Sequence, residues 1–145
     1  MIGKQQAREI AIEVYHGVPM GWHAEEILAE HAWLGGTYDI SGPKATEPGA
    51  PDWMPERDAW LQYRETLRRV ARGVSAHDPA CTELAVRYVE LRYIGSYSGY
   101  LRATLCRHLK HAVLSPEQKA RLHRHFRSLA LRAHGTHEYE SYLKL

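Results

Sequence analysis

Arg87-Tyr88-Val89-Glu90 opens a stretch running through Tyr93-Ile94-Gly95-Ser96-Tyr97-Ser98-Gly99-Tyr100-Leu101-Arg102 to Ser115-Pro116-Glu117-Gln118 and on to Arg132. It holds eight arginines and two lysines against two acids, Glu90 and Glu117. The apolar residues of this stretch and of the turn before it recur at helical spacing: Leu84, Ala85, Tyr88, Leu91 and Ile94, then Leu101, Leu105, Leu109 and Ala112, then Leu122, Phe126, Leu129 and Ala130. One apolar stripe per segment is the mark of amphipathic helices that bury one side and wet the other. The breaks are equally local. Asp78-Pro79 reads as an N-cap followed by a first-turn proline. Gly95-Ser96-Tyr97 turns the chain, and Ser98 is a candidate N-cap. Ser115-Pro116-Glu117-Gln118 is a capping box with proline at the first helical position. The spacing therefore predicts helices over about 79–94, 99–112 and 116–134.

The front half reads the same way. Ala7, Ile10, Ala11 and Val14 predict a helix over 4–16, ended by Gly17-Val18-Pro19. Ile27, Leu28, Ala32 and Leu34 predict one over 22–34, stopped by Gly35-Gly36. Four of the seven prolines and four glycines fall in 35–55, which predicts a long loop pinned by Tyr38 and Ile40 at its start and by Trp53 and Met54 at its end. A helix over 55–72 follows, with Pro55 first, Trp60, Leu61, Tyr63, Leu67, Val70 and Ala71 inward, and Gly73 closing it. Glu138 to Leu145 extends as a short helix using Tyr139, Tyr142 and Leu143. No period-2 strand or internal repeat appears. The expected fold is all-α: one domain, 1–145, an antiparallel bundle of about six helices carrying the Pro/Gly-rich loop.

Composition sets limits on function. The chain of 145 residues is 44% hydrophobic and 25% charged, ordinary for a globular domain with a real core. Its net charge of +2 hides an asymmetry. Residues 1–80 carry 8 basic and 12 acidic side chains, whereas residues 81–145 carry 11 and 5. Such polarity points either to a nucleic-acid or acidic partner or to the two halves packing on each other. Six of the ten histidines lie in the basic half, which grows more cationic below neutrality. Cys81 and Cys106 read as free thiols, which suggests a reducing compartment and a cytoplasmic location. The first residues lead into no long apolar run, and no segment nears 18 apolar residues, so neither a secretory signal nor a membrane span is expected.

Motifs of chemistry are sparse. Gly-x-Ser-x-Gly, Cys-x-x-Cys, phosphate-binding glycine loops and dinucleotide fingerprints are absent from the sequence. Cys106 stands beside Arg107 and His108, yet adjacent helical residues point apart, and it reads as buried structure. Glu13 and His16 form one Glu-x-x-His pair, and His23, Glu26 and Glu30 share a helix face. These five residues are the alternative reading, a metal site of a helical-bundle enzyme or sensor, although the second Glu-x-x-His of a di-iron bundle is missing. Nucleic acid is a further alternative, disfavoured by the small net charge. The preferred site is the turn at 93–102. Its glycine-flanked helix start would expose amide donors to an anion or acidic partner, with Arg92, Ser96, Ser98 and Arg102 adding hydrogen bonds and Tyr93, Tyr97 and Tyr100 rigid contact area.

The run from Tyr93 to Tyr100, continued by Arg102, His108-Leu109-Lys110, Leu114 to Gln118 and Arg121-Leu122, resembles a pattern in small uncharacterised bacterial helical proteins. There an aromatic and Ser-Gly-Tyr precede a basic helix, then a leucine and a capped Glu-Gln helix. The resemblance covers about a third of the chain. It implies a bacterial cytoplasmic origin and helical hairpins, and it carries over no activity and no catalytic residues. The expectation is a small non-enzymatic interaction protein of regulatory, antitoxin or immunity type. It would take an acidic protein partner, with no cofactor and no membrane contact.

Overall fold

A computed structural model describes residues 17–44, 56–91 and 98–130. Five helices and no strand occur among the described residues: α1 Ala24–Trp33, α2 Arg57–Ser75, α3 Pro79–Glu90, α4 Ser98–Leu109 and α5 Pro116–Ala130. The helices expected over 4–16 and 138–145 lie outside the described residues, as does the 45–55 part of the long loop.

Local chemistry accounts for most of the boundaries. Asp78 caps α3 by accepting the Ala80 amide proton at 3.2 Å, and Pro79 fills the first helical position. At α5 the capping box forms as the sequence predicts: Gln118 donates its backbone N–H to Ser115 Oγ at 3.0 Å, and Ser115 returns its own N–H to Gln118 Oε1 at 3.0 Å. Gly35, at φ +75°, ends α1 in the left-handed conformation that costs a glycine nothing.

Several boundaries differ from expectation. α2 starts at Arg57, not Pro55, because Glu56 takes the left-handed conformation at φ 52° as its N-cap, and α4 ends at Leu109 rather than 112. Gly73 does not close α2; the helix runs on to Ser75. It ends in a Schellman arrangement with His77 at φ +64°, the Asp78 amide donating to Gly73 O and the His77 amide to Val74 O. Gly73 is a glycine for packing: a Cβ there would lie 2.2 Å from Cys81 Sγ. The helix over 79–94 instead stops at Glu90, because Leu91 adopts an extended ψ of 127° and its amide closes onto Tyr88 O.

The core sits between α2, α3 and α4, which all pack on one another, while α1 lies across α2 and α3. Among the described elements α5 packs on α3 alone. Tyr63, Leu67 and Val70 of α2, Leu84, Ala85 and Tyr88 of α3, and Leu101, Leu105 and Leu109 of α4 are all essentially inaccessible. Burying side chains of this size contributes roughly 1.5–3 kcal/mol each, before the entropy of ordering the chain is set against it. The Tyr63 and Tyr88 hydroxyls satisfy each other by a hydrogen bond, and Trp22 and Tyr88 pack edge-to-face with ring centroids 5.1 Å apart. Ile40 is buried, so the start of the long loop is pinned as expected. In α1 the inward residue beside Ile27 is His31, whereas Ala32 is exposed. That exchange turns out to place a polar group in the core.

Candidate functional site

The cationic surface is sorted by its neighbours. Arg87 donates from Nε to Glu83 Oε2 at 2.7 Å and from Nη1 to Glu30 Oε1 at 2.8 Å. Arg121 donates to Glu83 Oε1 at 2.9 Å and to Glu90 Oε1 at 2.6 Å. The result is an ionic ladder, Glu30–Arg87–Glu83–Arg121–Glu90, crossing α1, α3 and α5. Partial burial pushes the Glu83 carboxyl up, but hydrogen bonds from Arg121, Gln118 and Arg87 outweigh it and hold the group below the usual glutamate range. Both guanidiniums are pushed up by the carboxylates they bind. On α2, Arg68, Arg69 and Arg72 gather around Glu65, and Arg64 stacks over the Trp60 ring at 5.1 Å.

Of the turn expected to bind a partner, Ser98 and Arg102 lie inside the fold at 1% and 7% exposure. Tyr100 is half exposed. Arg92, Tyr93, Ser96 and Tyr97 lie outside the described residues. The accessible cations are elsewhere. Arg107, Lys110 and His111 line the exposed end of α4, and Lys119, His123, Arg124 and Arg127 stand exposed on α5. No carboxylate among the described residues pairs with any of these seven. Nearby, Ser75 Oγ and His108 Nδ1 share a hydrogen bond at 2.6 Å, and burial together with Arg107 and His111 pushes the imidazole down.

Among the described residues, His23, Glu26 and Glu30 do not come together as one set of ligands. His23 Nδ1 meets Glu26 Oε1 at 3.0 Å, in an interaction local to the start of α1, and Glu30 is engaged by Arg87. Glu13 and His16 lie outside the described residues. Glu26, Glu30 and Arg87 do line a cleft of about 420 Å³ together with Trp22, Ile27 and Leu84.

A cluster that the sequence reading passed over is buried where α1, the 36–38 segment and α3 meet. His31 Nε2 lies 2.8 Å from Asp78 Oδ2, and the Cys81 thiol donates to the same oxygen at 3.2 Å. The Thr37 and Ala80 amides donate to Asp78 Oδ1, and the Tyr38 amide to Oδ2. Burial alone would raise the Asp78 carboxyl; the hydrogen bonds from His31, Cys81, Thr37 and Tyr38 overcome it and hold the group at about 2. Burial, and then the hydrogen bond to Asp78 and its charge, push the Cys81 thiol far up, so by itself it is no nucleophile. Cys106 is fully buried as well, and both cysteines are free thiols.

No family model matches this chain, and neither the curated proteins nor the solved structures compared with it give a match. No helix among the described residues is long and apolar enough to cross a membrane.

Proposed function

We propose that this chain is a non-enzymatic interaction protein that docks an acidic protein surface on the outward face of α5 and the exposed end of α4. One observation carries the reading: Lys119, His123, Arg124 and Arg127 are exposed on a single helix, and no carboxylate among the described residues neutralises them. Lys119, His123 and Arg127 follow one another at i, i+4 and i+8, so they form one ridge. α5 rests on α3 through Leu122 and Phe126, leaving its other side to solvent among the described elements. Complementary charge on a partner would steer encounter and fix register. The two buried free thiols support a reducing, cytoplasmic setting. A regulatory, antitoxin or immunity-type role in a bacterium is the corresponding biological reading.

The experiment is recovery of the full chain from its native lysate at low salt, beside the triple variant Lys119→Glu, Arg124→Glu, Arg127→Glu. We expect an acidic protein to co-purify stoichiometrically with the wild type. The variant should bind it at least about tenfold more weakly, since like charges across an interface repel. A lysate without a stoichiometric protein partner, or a partner held equally by the variant, overturns the proposal. Recovery of nucleic acid instead, with binding that falls steeply as salt rises, would transfer the same face to a different class of ligand.

A further inference from the structure

We propose that His31, Asp78 and Cys81 form a binding site for a thiophilic divalent cation, with zinc the ion that best suits the three donors. The site is independent of the α5 docking face. Nε2 of His31, Oδ2 of Asp78 and Sγ of Cys81 all lie within 4.8 Å of one another. Imidazole, carboxylate and thiolate are the three donor types that zinc takes from proteins. Tetrahedral bonds of about 2.0–2.3 Å separate neighbouring donors by roughly 3.3–3.6 Å. The observed 2.8 Å and 3.2 Å contacts to Oδ2 need only widen by a few tenths of an ångström.

The hydrogen-bonded cluster is already arranged as a protonated form of such a site. The imidazole and the thiol both point at one carboxylate oxygen, so a single cation placed among the three atoms replaces both contacts. The proton balance is simple. Nε2 of His31 ligates only when free of a proton, Cys81 releases its thiol proton to solvent, and the carboxylate and thiolate together neutralise one divalent ion. The bound cluster then buries no net charge. Asp78 keeps its amide bonds from Thr37, Tyr38 and Ala80, which orient it as outer hydrogen bonds orient ligating carboxylates elsewhere. The His31 side chain is 10% exposed against 1% for Asp78, so cation and a fourth, water ligand arrive from the imidazole side.

The test is a titration of the chelator-treated full chain with Co²⁺, a spectroscopic stand-in for zinc. We expect thiolate-to-cobalt charge-transfer absorption that saturates at one equivalent and is abolished by added Zn²⁺. Zinc at a hundredfold excess over its Kd should raise the Tm by about 5–10 °C. Cys81→Ser should lose the charge-transfer band, His31→Gln should weaken binding at least tenfold, and Cys106→Ala should keep both. Circular dichroism establishes that each variant is folded. A wild type that gives no thiolate-to-cobalt absorption overturns the proposal whatever the variants do. So does a band that survives Cys81→Ser and vanishes with Cys106→Ala.

Discussion

Asp78 ties three segments of the chain together. It caps α3, receives the Thr37 and Tyr38 amides, and accepts hydrogen bonds from His31 and Cys81, all at 1% exposure. Removing the carboxylate strands those donors in a dry setting. Asp78→Ala should therefore cost about 2–4 kcal/mol in chemical denaturation, more than a lost cap alone. The pH response follows from its acidity. A carboxyl held at about 2 against an ordinary 3.8 binds its proton less readily in the folded than in the unfolded chain. Its contribution, on the order of 2 kcal/mol, is complete above about pH 4 and is lost as pH falls toward 2. Denaturant midpoints of metal-free protein measured from pH 7 to pH 2.5 should trace that loss, and Asp78→Asn should flatten it. Sequence alone shows Asp78 as an N-cap and nothing more, since His31 lies 47 residues away.

At the scale of elements, the helices and most of their starts were legible because their causes are local. A proline at the first position of α3 and the Ser115–Gln118 box of α5 act within a few residues of themselves. The end of α2 was not legible. Gly73 carries the usual sign of a helix stop, yet it stands inside the helix because Cys81 and Tyr38 press on it, the Tyr38 ring lying 3.0 Å from where a Cβ would sit. Gly73→Ala distinguishes the two readings. An unhindered mid-helix glycine gains about 1 kcal/mol on becoming alanine. Here the overlap with Cys81 Sγ should reverse the sign, and we expect a loss of about 1–3 kcal/mol. Cys81→Ala in the same chain should recover part of that loss, which a double-mutant cycle measures directly.

Across the whole molecule, the acidic front and basic back of the sequence meet only in part. Arg87 reaches Glu30 of the front half, but Arg121 takes Glu83 and Glu90 from its own half. The cations further along α5 stay exposed. The ladder links three helices through partly buried pairs, Arg121 and Glu83 being only 20% and 18% exposed, so Arg121→Met should cost about 1–2 kcal/mol, with part of the difference from wild type lost in high salt. A larger, salt-independent loss would show that burial rather than charge holds α5 to α3. The sequence by itself determined that the chain is helical, where most helices begin, and which apolar faces turn inward, because those properties arise from residues within a turn of one another. Tertiary structure alone decided that His31 replaces Ala32 in the core, that Gly73 is a contact rather than a stop, and which arginines are neutralised. Those outcomes depend on side chains tens of residues apart, brought to within a few ångströms only when the helices pack.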